Sequence, residues 1–146
     1  MTDVFTPTLE TPWRILLCHK HPVSARLRFL VPENPKAGVV VPESLPPLCV
    51  VAEPDQQPNV QSHPATALNL LKQRMPNLDP EFEICSEYQL YLETSEGLMP
   101  VYLATLNGHN LCDIPEGMRW MELTQSIGMP WLDREILRRA YEVLVG

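Results

Sequence analysis

Sixteen prolines punctuate the chain and limit how far any regular element can run. Proline has no N–H to donate to a sheet ladder, and its ring breaks a helix interior. A helix bundle or a long coiled coil is therefore disfavoured, and a fold of short strands and short helices is expected. At 146 residues the chain is large enough to bury a core without disulfide or metal staples, which suits one domain.

The charge balance narrows the partners. A net charge of −7 leaves no general basic face, so nucleic acid is not expected as a partner, although a local pocket for one small anion remains compatible. Cys18, Cys49, Cys85 and Cys112 are far apart and form no CxxC or Cys–His zinc pattern. The first residues, MTDVFTPTLETPWR, lack the basic and apolar runs of a signal peptide. No apolar stretch approaches the roughly 18 residues of a membrane span. These features imply a reduced, cytoplasmic, soluble protein with no membrane partner.

Residues 1–12 read as a lead-in of Thr, Pro and acids, with the domain spanning 13–146. WRILLCH, residues 13–19, has the apolar character of a buried strand. ARLRFLV, residues 25–31, alternates as a half-exposed strand, with Arg26 and Arg28 opposite Leu27 and Phe29. Pro22 between them favours a hairpin. A proline-rich connector, 32–47, holds an apolar island at Val39–Val41, and LCVVA, 48–52, suggests another buried strand. A helix is expected over 63–75, with Pro64 in its first turn and an apolar stripe of Ala67, Leu68, Leu70, Leu71 and Met75. Strand-rich runs over 82–94 and 98–106 flank Ser95-Glu96-Gly97 and predict a hairpin. A short strand follows at 119–123, then one helical turn at 124–127. The final helix, 130–145, carries acids early and arginines late, which suits the helix dipole and lets Glu135 pair with Arg139.

Few residues suggest chemistry on their own. Arg26 and Arg28, with Lys20 and Arg14, form a candidate patch for a phosphate or carboxylate, against the simpler reading of a solvated strand face. His19-x-His21 places two imidazoles on one side of an extended chain, yet no third ligand is near in sequence. Glu116 and Glu122 flank the Trp120 strand and read as surface charge. No Ser–His–Asp set, glycine-rich phosphate loop or GxSxG elbow occurs. Most distinctive is an absence: between Asp55 and Asp79 there is no acidic residue, and the predicted 63–75 helix falls within that gap.

The order of elements, with PVYLAT at 100–105 and RWMELTQSIGMPWLDREILRRAYEVL closing the chain, resembles the Nudix family. LNLLKQRMPNLDPEFEI, 68–84, is similar to that family's helix-loop-strand, with Asn77-Leu78-Asp79 in place of Gly-Leu-Asp. The resemblance implies an α+β fold, an α/β/α sandwich whose mixed sheet lies between helices near 63–75 and 130–145. Family members hold Mg²⁺ or Mn²⁺ on helix glutamates, because a hard cation at a diphosphate needs anionic oxygen ligands. In one register Arg74-Met75 takes the paired Glu-Glu positions, and in the register slipped by one Gln73-Arg74 does. Neither contains a carboxylate.

Three readings follow from the resemblance. The leading one is a Nudix-fold protein without the usual metal-dependent pyrophosphohydrolysis, binding a small anionic ligand or a protein partner, with a homodimer left open. It has no catalytic residue, metal site or cofactor. The alternative is a divergent phosphohydrolase with Mg²⁺ or Mn²⁺ on scattered acids such as Glu53, Asp55, Glu116 and Glu122. A third is a structural subunit whose contact surface is the 32–47 connector.

Overall fold

The computed structural model describes residues 11–52 and 63–146. Most of the predicted lead-in, together with Glu53 and Asp55, therefore lies outside the described residues. Seven strands form one mixed sheet: β1 (Arg14–Lys20), β2 (Leu27–Pro32), β3 (Val50–Val51), β4 (Glu83–Ile84), β5 (Leu90–Thr94), β6 (Gly97–Asn107) and β7 (Met118–Met121). Their order is β3-β5-β6-β1-β2-β7, with β4 also on β6. The β1–β6 pair is parallel and every other pair is antiparallel. β6 is the spine. Its first half pairs with β5, its second half with β4, and its other edge with β1.

Alternation along the two central strands explains the layered core. Ile15, Leu17, Tyr102, Ala104 and Leu106 pack toward α1 (Pro64–Arg74), where they meet Ala67, Leu68 and Leu71. Leu16, Cys18, Met99, Val101 and Leu103 point the other way, onto Ile136, Leu137 and Ala140 of α2 (Trp131–Leu144). The result is the expected α/β/α sandwich. Both helices start where proline permits, with Pro64 as the first residue of α1 and Pro130 just before α2. The Leu123–Ser126 segment forms the expected single helical turn. Among the described residues no helix is long and apolar enough to cross a membrane.

Four local expectations are corrected. The 48–52 strand is two residues long and lies at the sheet edge, with Leu48 and Val50 exposed rather than buried. The 82–94 run breaks into β4 and β5 around Cys85–Gln89, because each pairs with a different half of β6. β2 is not half-exposed along its length. Neighbours β1 and β7 cover both edges, and Leu30 on its second face is fully buried. Leu70 drops out of the α1 stripe and is exposed, while Leu71 is completely buried. The apolar island of the connector is internal: Val41 exchanges backbone hydrogen bonds with Ile15, at 2.8 and 3.0 Å, and Val39 and Val40 are buried.

Candidate functional site

α1 occupies the position where the resemblance places metal-binding glutamates. Its exposed residues are Ala65, Thr66, Asn69, Leu70, Gln73 and Arg74, and none is a carboxylate. Its cations serve the chain itself. Lys72 Nζ donates to the carbonyls of Pro80 (2.8 Å) and Phe82 (3.0 Å). Arg74 Nη1 donates to Thr11 Oγ1 at 2.6 Å, and the Thr11 backbone N–H donates to Glu43 Oε1 at 3.1 Å. Thr11 hydrogen bonding, aided by Arg14 and Arg74 nearby, holds the Glu43 carboxyl below its ordinary range. This donor set does not fit Mg²⁺ or Mn²⁺, which require several anionic or neutral oxygens and no adjacent guanidinium. Among the described residues no three His, Cys, Asp or Glu side chains are grouped to hold a metal ion.

A polar face lies at the carboxyl ends of the parallel strands β1 and β6, on the α1 side of the sheet. Cross-strand register builds it. His19 pairs with Arg28, while Phe29 pairs with Met121 and brings Arg28 beside Glu122. Arg26 and Arg28 both reach the Glu122 carboxylate; Arg26 Nη2 bonds Oε2 directly, and Arg28 Nε lies 3.7 Å from the same oxygen. The Arg26 hydrogen bond, reinforced by Arg28, keeps that carboxyl below its ordinary range. Two guanidinium groups thus converge on one anionic oxygen.

Three of the chain's four histidines join this face. The His21 and His109 rings meet edge to face, with centroids 5.2 Å apart. His21 Nδ1 accepts the N–H groups of Val23 and Ser24, both at 3.2 Å, which closes the β1–β2 turn. His19 is buried and lies edge-on to Trp120 at 6.1 Å. Its Nε2 has no hydrogen-bond partner among the described residues. Burial holds the His19 imidazole below its ordinary value, against backbone hydrogen bonding at Gly108; the positive charge of Arg28 adds to the lowering.

The four basic residues singled out from sequence do not gather into one patch. Arg26 and Arg28 stand together at Glu122. Lys20 faces the opposite side of the sheet and donates to the carbonyl of Leu144 at 2.8 Å, capping α2. Arg14, at the far end of β1, is 2% exposed and donates to the carbonyls of Thr11, Trp13 and Ser44. The His19-x-His21 spacing correctly placed two imidazoles on one side, but His109 and the neighbouring Arg28 and Glu122 came from pairings that spacing does not reveal. Glu116 is exposed and stands apart from these pairs.

Beside α1 there is a cavity of about 360 Å³. It touches the helix only at Pro64 and is lined mainly by Cys85, Ser86, Tyr88, Gln89, Tyr91 and Tyr102. The space under the helix itself is filled by Leu71, with Leu68 and Ala67 beside it.

No family model matches this chain, and no curated protein matches it in sequence. Its fold is nonetheless similar to solved structures. A C. elegans Ap4A hydrolase aligns over 90% of this chain and 97% of its own, with TM-score 0.51 and 16% identity. A binary complex of a C. elegans Ap4A hydrolase aligns over 91% and 98%, with TM-score 0.55 and 16% identity. The NUDIX domain of Shewanella oneidensis NrtR, complexed with ADP ribose, covers 99% and 100% at TM-score 0.48 and 14% identity. The chain has a Nudix-like α+β fold.

Proposed function

We propose that this chain is a binding module on a Nudix-like scaffold, taking a small anionic ligand or an anionic group of a protein partner, without metal-dependent pyrophosphate hydrolysis. One observation carries the reading. Arg74 falls on a paired-glutamate position in either register, and its guanidinium is anchored by Thr11. A cation at that point opposes Mg²⁺ electrostatically. The anion-binding half is supported by Arg26 and Arg28, whose guanidinium groups both face the Glu122 carboxylate, Arg26 by a direct hydrogen bond and Arg28 as an ion pair. Glu122 acts as an internal stand-in that an incoming phosphate or carboxylate displaces. Lys20 and Arg14 are left out of this binding role, since both already serve backbone carbonyls.

Glu122→Gln separates this reading from the divergent phosphohydrolase. With the competing carboxylate gone, inorganic phosphate should bind several-fold more tightly by calorimetry, and Arg26→Ala/Arg28→Ala should abolish the gain. The same proteins are incubated with Ap4A and a panel of nucleoside diphosphate derivatives in Mg²⁺ or Mn²⁺, and melting temperatures are followed with each metal. Metal-dependent turnover in the native protein that Glu122→Gln or Glu116→Gln removes would overturn the proposal. Light scattering on the native chain tests the homodimer.

A further inference from the structure

On the opposite face of the sheet, the connector and the two residues after it fold over the start of α2 and leave a pocket of about 260 Å³. Asp133, in the first turn of α2, lines it. This residue is 8% exposed, yet among the described residues no group donates a hydrogen bond to its carboxylate or pairs with it. Water reaches this carboxylate only through the pocket mouth, and no donor from the described residues replaces the hydration that partial burial removes. Burial correspondingly pushes its carboxyl above the ordinary range.

The surroundings explain why no described residue donates to it. Gly38 sits against the carboxylate with φ of +80°, and a Cβ there would stand only 3.2 Å from Oδ1. Gly38, which faces the carboxylate, therefore has no side chain to offer. Cys49 gives its thiol proton to the Pro46 carbonyl at 3.2 Å. Arg14, a buried cation, donates to the backbone carbonyls of Thr11, Trp13 and Ser44. Lys36 lines the pocket but is exposed and forms no ion pair among the described residues. Leu45, Pro46 and Leu132 supply apolar wall, and Leu48 stands at the rim 94% exposed.

We propose that this pocket binds an organic cation, an ammonium or guanidinium group on an apolar stem, with Asp133 as its anionic acceptor. The cation supplies the donors the carboxylate lacks, and the stem covers Leu48 and Leu132. Charge-assisted hydrogen bonds from such groups are stronger than neutral ones.

The test uses the full chain and two probes, n-butylammonium and n-butylguanidinium chloride, with potassium chloride matching ionic strength. Carbon-detected NMR follows the Asp133 carboxyl resonance and the Gly38 and Leu132 amides. Saturable shifts with either probe, and a carboxyl titration midpoint moved to lower pH, are expected. Asp133→Asn should weaken binding about tenfold or more. Gly38→Ala, which crowds the same oxygen, should also weaken it. N-acetyl-lysine methylamide distinguishes the two sources of the cation. Binding comparable to n-butylammonium assigns a lysine side chain of a partner, and much weaker binding assigns a free amine. Shifts no larger than those in potassium chloride, or an Asp133 resonance insensitive to both probes, would overturn the proposal, and this reading needs only the native protein.

Discussion

Replacing Arg14 by methionine should cost far more stability than replacing Arg26 or Arg28, although Arg14 and Arg28 lie on paired strands and Arg26 just before one. Arg14 is 2% exposed, and its guanidinium donates to Thr11 O at 2.6 Å, Trp13 O at 3.0 Å and Ser44 O at 3.1 Å. It thereby ties the entry to β1 against the connector that carries Glu43 and Ser44. Methionine keeps much of the apolar stem but leaves three carbonyls short of a donor. An unsatisfied buried polar group costs about 1–3 kcal/mol. Part is returned because the buried charge no longer has to be desolvated, and because water can reach Ser44, so about 2–4 kcal/mol is expected. Against a total of about 5–15 kcal/mol for a domain, that is a large fraction. Urea unfolding at pH 7 measures it; with a slope of about 1–3 kcal/mol per molar, the midpoint should fall by about 1–2 M. Arg26→Ala and Arg28→Ala should stay within about 0.5–1 kcal/mol of the native protein, since their pairing is near the surface. An Arg14→Met midpoint equal to that of the native chain would refute the assignment of Arg14 as a structural donor.

Glu135 should make stability depend on acid. Its carboxylate bridges Arg138 at 2.6 Å and Arg139 at 2.8 Å, and the hydrogen bond from Arg138, with that from Arg139, lowers its pKa from 4.5 to about 2. Because the folded value is depressed, the contribution is fully present above about pH 4.5 and lost as pH falls toward 2. At about 1.36 kcal/mol per pKa unit the ceiling is about 3.4 kcal/mol. Arg138 is half exposed, so about 1–2 kcal/mol is expected after screening, and the urea midpoints of the native protein and Glu135→Gln, separated at pH 7, should draw together at pH 2.5, where most of the contribution is gone. Tyr88→Phe removes a buried hydroxyl that donates to the Ile136 carbonyl at 3.0 Å; calorimetric melting should show a loss of about 1–2 kcal/mol with no change in phosphate binding. Leu71→Ala should cost about 2–5 kcal/mol by denaturant unfolding, since the side chain is fully buried between α1 and the sheet.

Much of the architecture was legible because two periodicities dominate it. The 3.6-residue stripe of 130–145 encodes which side faces the core, the alternation along 25–31 marks a strand, and both elements appear within a residue or two of their expected bounds. The Glu135–Arg139 pair followed from the helical spacing alone. What resisted reading depends on pairing between distant segments. Whether 82–94 is one strand or two is decided by the two halves of β6, whose partners no local pattern specifies. The burial of Val39–Val41 depends on the bridge to Ile15.

The same distinction divides the basic residues. Arg26-x-Arg28 announces itself, since a two-residue spacing on a strand puts both side chains on one face. That they converge on Glu122 requires the β2–β7 register, which brings together residues 96 positions apart. Arg14 looked equally available because strand patterning records polarity and not depth. Its neighbours Trp13 and Ile15 are buried by α1, whereas Arg14 itself turns to the other face and is closed in by the connector. A buried arginine satisfied by backbone carbonyls and an exposed arginine holding a carboxylate are thus identical in composition and opposite in consequence. The first is fixed by the chain, so substitution there reads out as folding. The second is held by a partner that a stronger anion can replace, so substitution there should read out as binding.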